Sequence, residues 1–169
     1  MINQMFWLSV FCCLFTVQYT KAQLNPAGNR PAKNTARVPI PTGAGVLGVF
    51  DGRTPCQEIA KELKVETTPA CIKIKWRLIL YQDSVTHTPA TYQLEGFVYH
   101  NPVRSGKWMF TKGTATDANA VIVQLDPDKP QQSIYLLKAD EYVLFFLDHT
   151  RKLMTGNEYF SYTLYRTEN

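Results

Sequence analysis

Cys56 and Cys71 are the residues of this chain whose type and spacing are most open to chemistry. The first 22 residues read as an export signal, which places both thiols in an oxidising compartment, and two such thiols fifteen positions apart most simply form a disulfide. A second reading starts from Cys56 near a helix N-terminus, where the dipole lowers a thiol's pKa and favours a redox centre or a soft-metal ligand. Unpaired thiols are the third. Ile59 stands where a Cys-x-x-Cys would need its second sulfur. His87, His100 and His149 are scattered over loops and strand ends, in no spacing that makes a metal site legible. Met109 and Met154 are too few and too far apart for a Cu(I) cluster, and a core position is expected for Met109. Asp126 and Asp128 form the pattern Asp-Pro-Asp-Lys-Pro, the composition of a hairpin turn. No nucleophile elbow and no Gly-rich phosphate loop are found, so neither a catalytic residue nor a cofactor or metal site is expected.

The elements that would position these residues follow from periodicity. From Cys71 to Tyr81 the chain alternates, with Ile72, Ile74, Trp76, Leu78 and Leu80 on one face and Lys73, Lys75 and Arg77 on the other, as in a half-buried β-strand. Before it, Thr54, Pro55 and Gln57 form a Thr-x-x-Gln capping box, and Cys56, Ile59, Ala60 and Leu63 fall on one helical face. That stripe turns Cys56 towards the sheet. A short strand over Val46–Phe50 closes on the turn signal Asp51-Gly52. Further runs cover residues 91–100, 107–112, 120–125, 133–138, 142–147 and 159–166, separated by polar turns. About eight strands with short connections and one short helix predict an all-β fold, a small antiparallel up-and-down, lipocalin-like barrel. Trp76, Tyr92, Trp108, Phe110, Phe145, Phe146, Tyr162 and Tyr165 lie in or beside these strands. They either fill the core or line a ligand cavity, and core is the reading favoured.

Three regions are expected: a signal peptide over 1–22, a flexible arm over 23–45, and one barrel domain over 46–169. The apolar run Phe6–Val17 ends before Thr20-Lys21-Ala22, small residues where a signal peptidase cuts. Cys12 and Cys13 lie inside that run, and Phe11 stands where a lipoprotein site needs a small residue. The formal charge of +4 resides outside the barrel. Lys21 belongs to the signal and Arg30, Lys33 and Arg37 to the arm, leaving fourteen Lys and Arg against fourteen Asp and Glu. A neutral domain argues against a nucleic-acid-binding face, and no membrane span is expected in the mature chain.

The ordered segments Asp51-Gly-Arg-Thr-Pro-Cys56, Tyr92-Gln-Leu-Glu-Gly96, Gly106-Lys-Trp108, Val121–Leu125, Leu144–Asp148 and Ser161–Arg166 resemble the N-terminal domain of the NlpE family of copper-homeostasis and envelope-stress lipoproteins. The resemblance implies a small barrel exported to the periplasm, the cell envelope or the exterior, linked to copper resistance and envelope stress. Of the family's Cys-x-x-Cys only Cys56 has a counterpart, and the lipid-bearing cysteine is missing. The expectation is therefore a non-enzymatic exported barrel of the NlpE N-terminal type, acting in envelope homeostasis through an envelope protein or a small apolar ligand. Two alternatives stay open: a secreted lipocalin-like carrier of a small apolar ligand, and a secreted inhibitor or interaction module.

Overall fold

Strand-forming residues with period-two burial dominate the chain after residue 45, and in the computed structural model they close on themselves. The structure describes residues 39–96 and 103–167; the expected signal peptide, most of the arm and His100 lie outside them. Eight strands follow one another: β1 (Val46–Pro55), β2 (Lys73–Gln82), β3 (Pro89–Glu95), β4 (Arg104–Lys112), β5 (Val121–Leu125), β6 (Ile134–Lys138), β7 (Val143–Leu147) and β8 (Thr163–Arg166). Each pairs antiparallel with the next, and β8 returns to β1 to complete a closed barrel. Among the described residues one α-helix, α1 (Cys56–Glu62), lies between β1 and β2. No described helix is long and apolar enough to cross a membrane.

Register explains which side chains face inward. Phe50 pairs with Leu78, Leu78 with Leu94, Leu80 with Tyr92, and Trp108 with Leu125; across the far wall Leu136 pairs with Phe146 and Leu144 with Leu164. Ile74, Trp76, Leu78 and Leu80 of β2 are buried as the alternation predicts. Ile72, expected on the same face, precedes the strand and is 73% exposed. Trp76 stacks at a tilt on Phe146 with centroids 5.5 Å apart, and its indole N–H donates to Thr54 Oγ1 at 2.9 Å. Trp108 donates its N–H to the carbonyl of Tyr81 at 2.7 Å. Both indoles thus keep a polar partner inside an apolar core.

Two local expectations are overturned at β1. Asp51-Gly52 is no turn, because β1 runs straight through it to Pro55 in register with β2. Asp51 there accepts from Arg77 across the outer face at 2.9 Å. That pairing leaves Arg77 more basic than usual, chiefly through the hydrogen bond to Asp51. Gly52 serves the seam: a Cβ on it would lie 2.3 Å from the Thr163 carbonyl oxygen and 2.7 Å from Leu164 Cδ2, so only glycine lets β8 close against β1. The capping box does not form either. Thr54 is spent on Trp76, α1 begins at Cys56, and its N-terminus has no side-chain cap. Gln57 instead donates to the carbonyls of Thr68 and Cys71, both at 2.9 Å, fastening the loop back to β2. The buried helical face is Cys56, Ile59 and Ala60, as expected, and Leu63 follows the helix, packed on the core.

The connection from β7 to β8 folds back along the wall. Leu153 bridges to Leu147, and Arg151 donates to the carbonyls of Lys112 and Gly113 while sitting over the Tyr135 ring. Asp148 organises the turn by accepting from the Thr150 hydroxyl and the backbone N–H groups of Thr150 and Lys152. Partial burial raises the pKa of its carboxyl, but these bonds outweigh that and hold it below the ordinary 3.8. A carboxylate with a depressed folded pKa stabilises the fold above its unfolded value and loses that contribution as pH falls through the folded one. Acid unfolding followed by fluorescence therefore shows a stability loss below about pH 4 that is smaller in Asp148→Asn. Equal acid sensitivity in the two proteins would exclude Asp148 as a contributor.

Candidate functional site

The two cysteines are joined. Cys56 and Cys71 form a disulfide with Cα atoms 5.7 Å apart. Cys56 is fully buried at the start of α1 and Cys71 sits just ahead of β2, so the bridge fixes the helix over one end of the barrel. Among the described residues no thiolate is left in this state for metal or redox chemistry. His87 faces the side-chain amide of Gln82 at 3.1 Å, and His149 faces the Glu62 carboxylate at 3.2 Å. Among the described residues no three His, Cys, Asp or Glu side chains converge on a common point. Met154 packs on the core, whereas Met109, expected inside, points outward from β4 and is 43% exposed.

What the barrel does gather is a polar network at the rim beside α1. Arg104 opens β4 on the inward face, paired with Leu94. Its Nε donates to Tyr92 Oη and to Asp126 Oδ2, each at 3.0 Å, and its Nη2 donates to Asp126 Oδ2 and to the carbonyl of Gln132. Tyr92, wholly buried, donates its hydroxyl to the same Oδ2 at 2.7 Å. Asp126 is 2% exposed, which corrects its reading as a mere turn residue. It does start the turn after β5, but its φ of 52° swings the carboxyl back over the barrel rather than into solvent. Gly106 makes room for it: a Cβ there would lie 2.0 Å from Asp126 Oδ1 and 3.1 Å from Tyr92 Cε1. Burial, followed by the hydrogen bond to Asp126, drives the Tyr92 phenol far above its usual pKa, so it stays a neutral donor.

Around this network lies a groove of about 560 Å³, walled by the end of α1, the start of β4 and the β5–β6 turn. Lys64, Lys129 and Gln132 are exposed along it, and Arg104 forms part of its wall. The Arg104 side chain is 22% exposed, while that of Asp126 is only 3% exposed. Nη1 of Arg104 has no partner among the described residues, and Asp126 Oδ1 is buried without one. The volume falls within the usual range for small-ligand sites, roughly 300 to 1,000 Å³. In it the Arg104 guanidinium is held through Nε and Nη2, with Nη1 left without a partner among the described residues.

The sequence offered Tyr92 only as one aromatic among eight and did not single out Arg104. A signal was there. With Trp108 and Gly106 inward by alternation, Arg104 must point inward too, and an inward arginine demands a buried acid. A second buried polar group, Tyr162 Oη, has no partner in good hydrogen-bond geometry among the described residues, although the Ile59 backbone lies close enough to lower its pKa. Burial, and then the nearby Glu58 charge, push its pKa up to about 12. Because an unpaired buried hydroxyl costs free energy, Tyr162→Phe is expected to be neutral or to stabilise by up to about 1 kcal/mol in denaturant unfolding. A loss above about 1 kcal/mol would mean that this hydroxyl is bonded.

No family model matches the chain, and searches of the curated proteins and of the solved structures find no match.

Proposed function

We propose that this chain is an exported, non-enzymatic barrel of the NlpE N-terminal type, acting in envelope homeostasis through a partner bound on its surface. One observation carries the choice among the binding readings: the inside of the barrel is full. Leu78, Tyr92, Leu94, Leu136, Phe146 and Leu164 meet along the axis at 0 to 1% exposure. A void able to hold a ligand leaves accessible area on the side chains that line it, and these have essentially none. A carrier of an apolar molecule needs the opposite, so the lipocalin-like carrier is the weaker reading. The export signal and the ordered resemblance to the NlpE family support the compartment and the link to envelope stress. The filled barrel and the polar groove at its rim support recognition from outside.

The Cys56–Cys71 bridge removes the thiolates that tight Cu(I) sites use. A link to copper resistance therefore runs through a partner rather than through ligation by this domain. Deletion of the gene tests the role in its own host. Lower tolerance of copper and of envelope damage, restored by the wild-type gene and by a Met109→Leu variant, is the expected result. Unchanged tolerance after deletion would remove the envelope role. In titrations of the oxidised domain with Cu(I) and Cu(II) against competing chelators, no stoichiometric site tighter than about 1 μM is expected. Such a site, abolished by changing one histidine, would put copper back on this chain.

A further inference from the structure

We propose that the rim groove is a binding site for an oxyanion, a carboxylate or phosphate group on the partner, held by the free half of the Arg104 guanidinium together with Lys64 and Lys129. The inference rests on the surface-acting reading above and names the chemistry recognised. Arg104 is positioned before any ligand arrives. Its Nε and Nη2 are committed to Tyr92, Asp126 and the Gln132 carbonyl, which fixes the guanidinium plane and leaves Nη1 with two N–H donors and no described partner. A guanidinium held this way loses little freedom on binding, the main cost of recruiting a flexible arginine.

The groove's charges point the same way. Asp126 gives its Oδ2 to Arg104 and Tyr92, and Glu62 accepts the backbone N–H of His149. Lys64 and Lys129 line the groove, and their ammonium groups make no described ion pair. Their backbones are fixed as well. Lys64 takes a left-handed turn at φ 55° after α1, donating its N–H to the Lys61 carbonyl. Lys129 donates to the Asp126 carbonyl and accepts from the N–H of Gln132. Lys64, Lys129 and Arg104 outnumber Glu62 and Asp126 along this concave surface, a small positive excess on a domain whose formal charges balance overall.

The test is amide NMR on the oxidised mature chain, titrated at constant ionic strength with acetate and, in parallel, with inorganic phosphate. Saturable shifts are expected at residues 64–65, 104–105, 129 and 131–133, together with the Arg104 Nε–H signal. Lys129→Glu should weaken binding about tenfold, and Arg104→Lys, which keeps the charge but not the fixed fork, should weaken it comparably. Lys112→Glu, at the other end of the barrel, should change nothing. Tighter acetate binding assigns a carboxylate-bearing partner, and tighter phosphate binding a phosphate-bearing one. Shifts that do not saturate, that spread over surface lysines generally, or that survive Lys129→Glu would overturn the site. The deletion phenotype reads the surface-acting role separately, so loss of the anion site leaves that role standing or falling on its own result.

Discussion

Changing Cys56 or Cys71 to Ser lowers the unfolding free energy by about 2 to 5 kcal/mol, the usual cost of losing a native bridge from a small domain. The magnitude follows from what the bridge closes and what it holds. With a sequence separation of 15, the chain-entropy model gives about 3 kcal/mol from restricting the unfolded state alone. To this is added the docking of α1. Seven residues make a helix too short to persist without tertiary support, and Cys56 and Ile59 are part of the packed core. When the bridge is lost, the helix keeps its apolar face, the Gln57 bonds, the Cys56 N–H bond to the Ile72 carbonyl and the Glu62 contact with His149, so the end of the barrel beside the rim groove loosens first. Denaturant unfolding of both variants, with hydrogen exchange over residues 56–72, reads this directly. Native protein in which both thiols alkylate freely, or a variant as stable as the wild type, would contradict it.

The second large effect concerns the rim ion pair, and its signature is an asymmetry. Arg104→Met leaves the Asp126 carboxylate, 3% exposed, without its counter-ion. Stranding a buried charge in this way costs about 3 to 5 kcal/mol. Asp126→Leu strands Arg104 instead, but that side chain is 22% exposed and can turn towards water in the groove. The cost should therefore be smaller, about 1 to 3 kcal/mol, much of it from the Tyr92 hydroxyl, which loses the acceptor for its proton. Together the two changes should cost less than Arg104→Met alone, because an apolar pair of similar volume needs no desolvation. A full double-mutant cycle in denaturant measures all three values. Equal and additive single effects would show that the pair is not coupled and that the network contributes packing only.

Most of the barrel was legible because half-buried strands write their pattern into the sequence. The alternation from Ile74 to Leu80 fixed both the strand and its inward face, and polar turns at residues 113–119, 139–140 and 148–157 separated the later strands where expected. The cysteine pairing was legible for a similar reason, since one helical stripe carried Cys56 towards the sheet that Cys71 precedes. Composition failed where a residue type that favours turns or caps was used for tertiary contact. Asp51-Gly52 looks like a turn, but its aspartate answers Arg77 and its glycine answers the closeness of β8. Thr54 looks like a cap, but a buried indole claimed its hydroxyl. At Asp126 a single left-handed φ decides whether the carboxyl meets water or Arg104, and residue type does not determine that angle. The candidate site was therefore the least readable part of the chain.

Native mass spectrometry of the protein purified from its own host tests the central claim most directly, because a barrel with a filled interior has nothing to carry. The account predicts the mass of the polypeptide less two hydrogens for the Cys56–Cys71 bridge, with no lipid, other apolar molecule or metal retained in stoichiometric amount. A stoichiometric apolar adduct that survives desolvation would contradict it and establish the protein as a carrier.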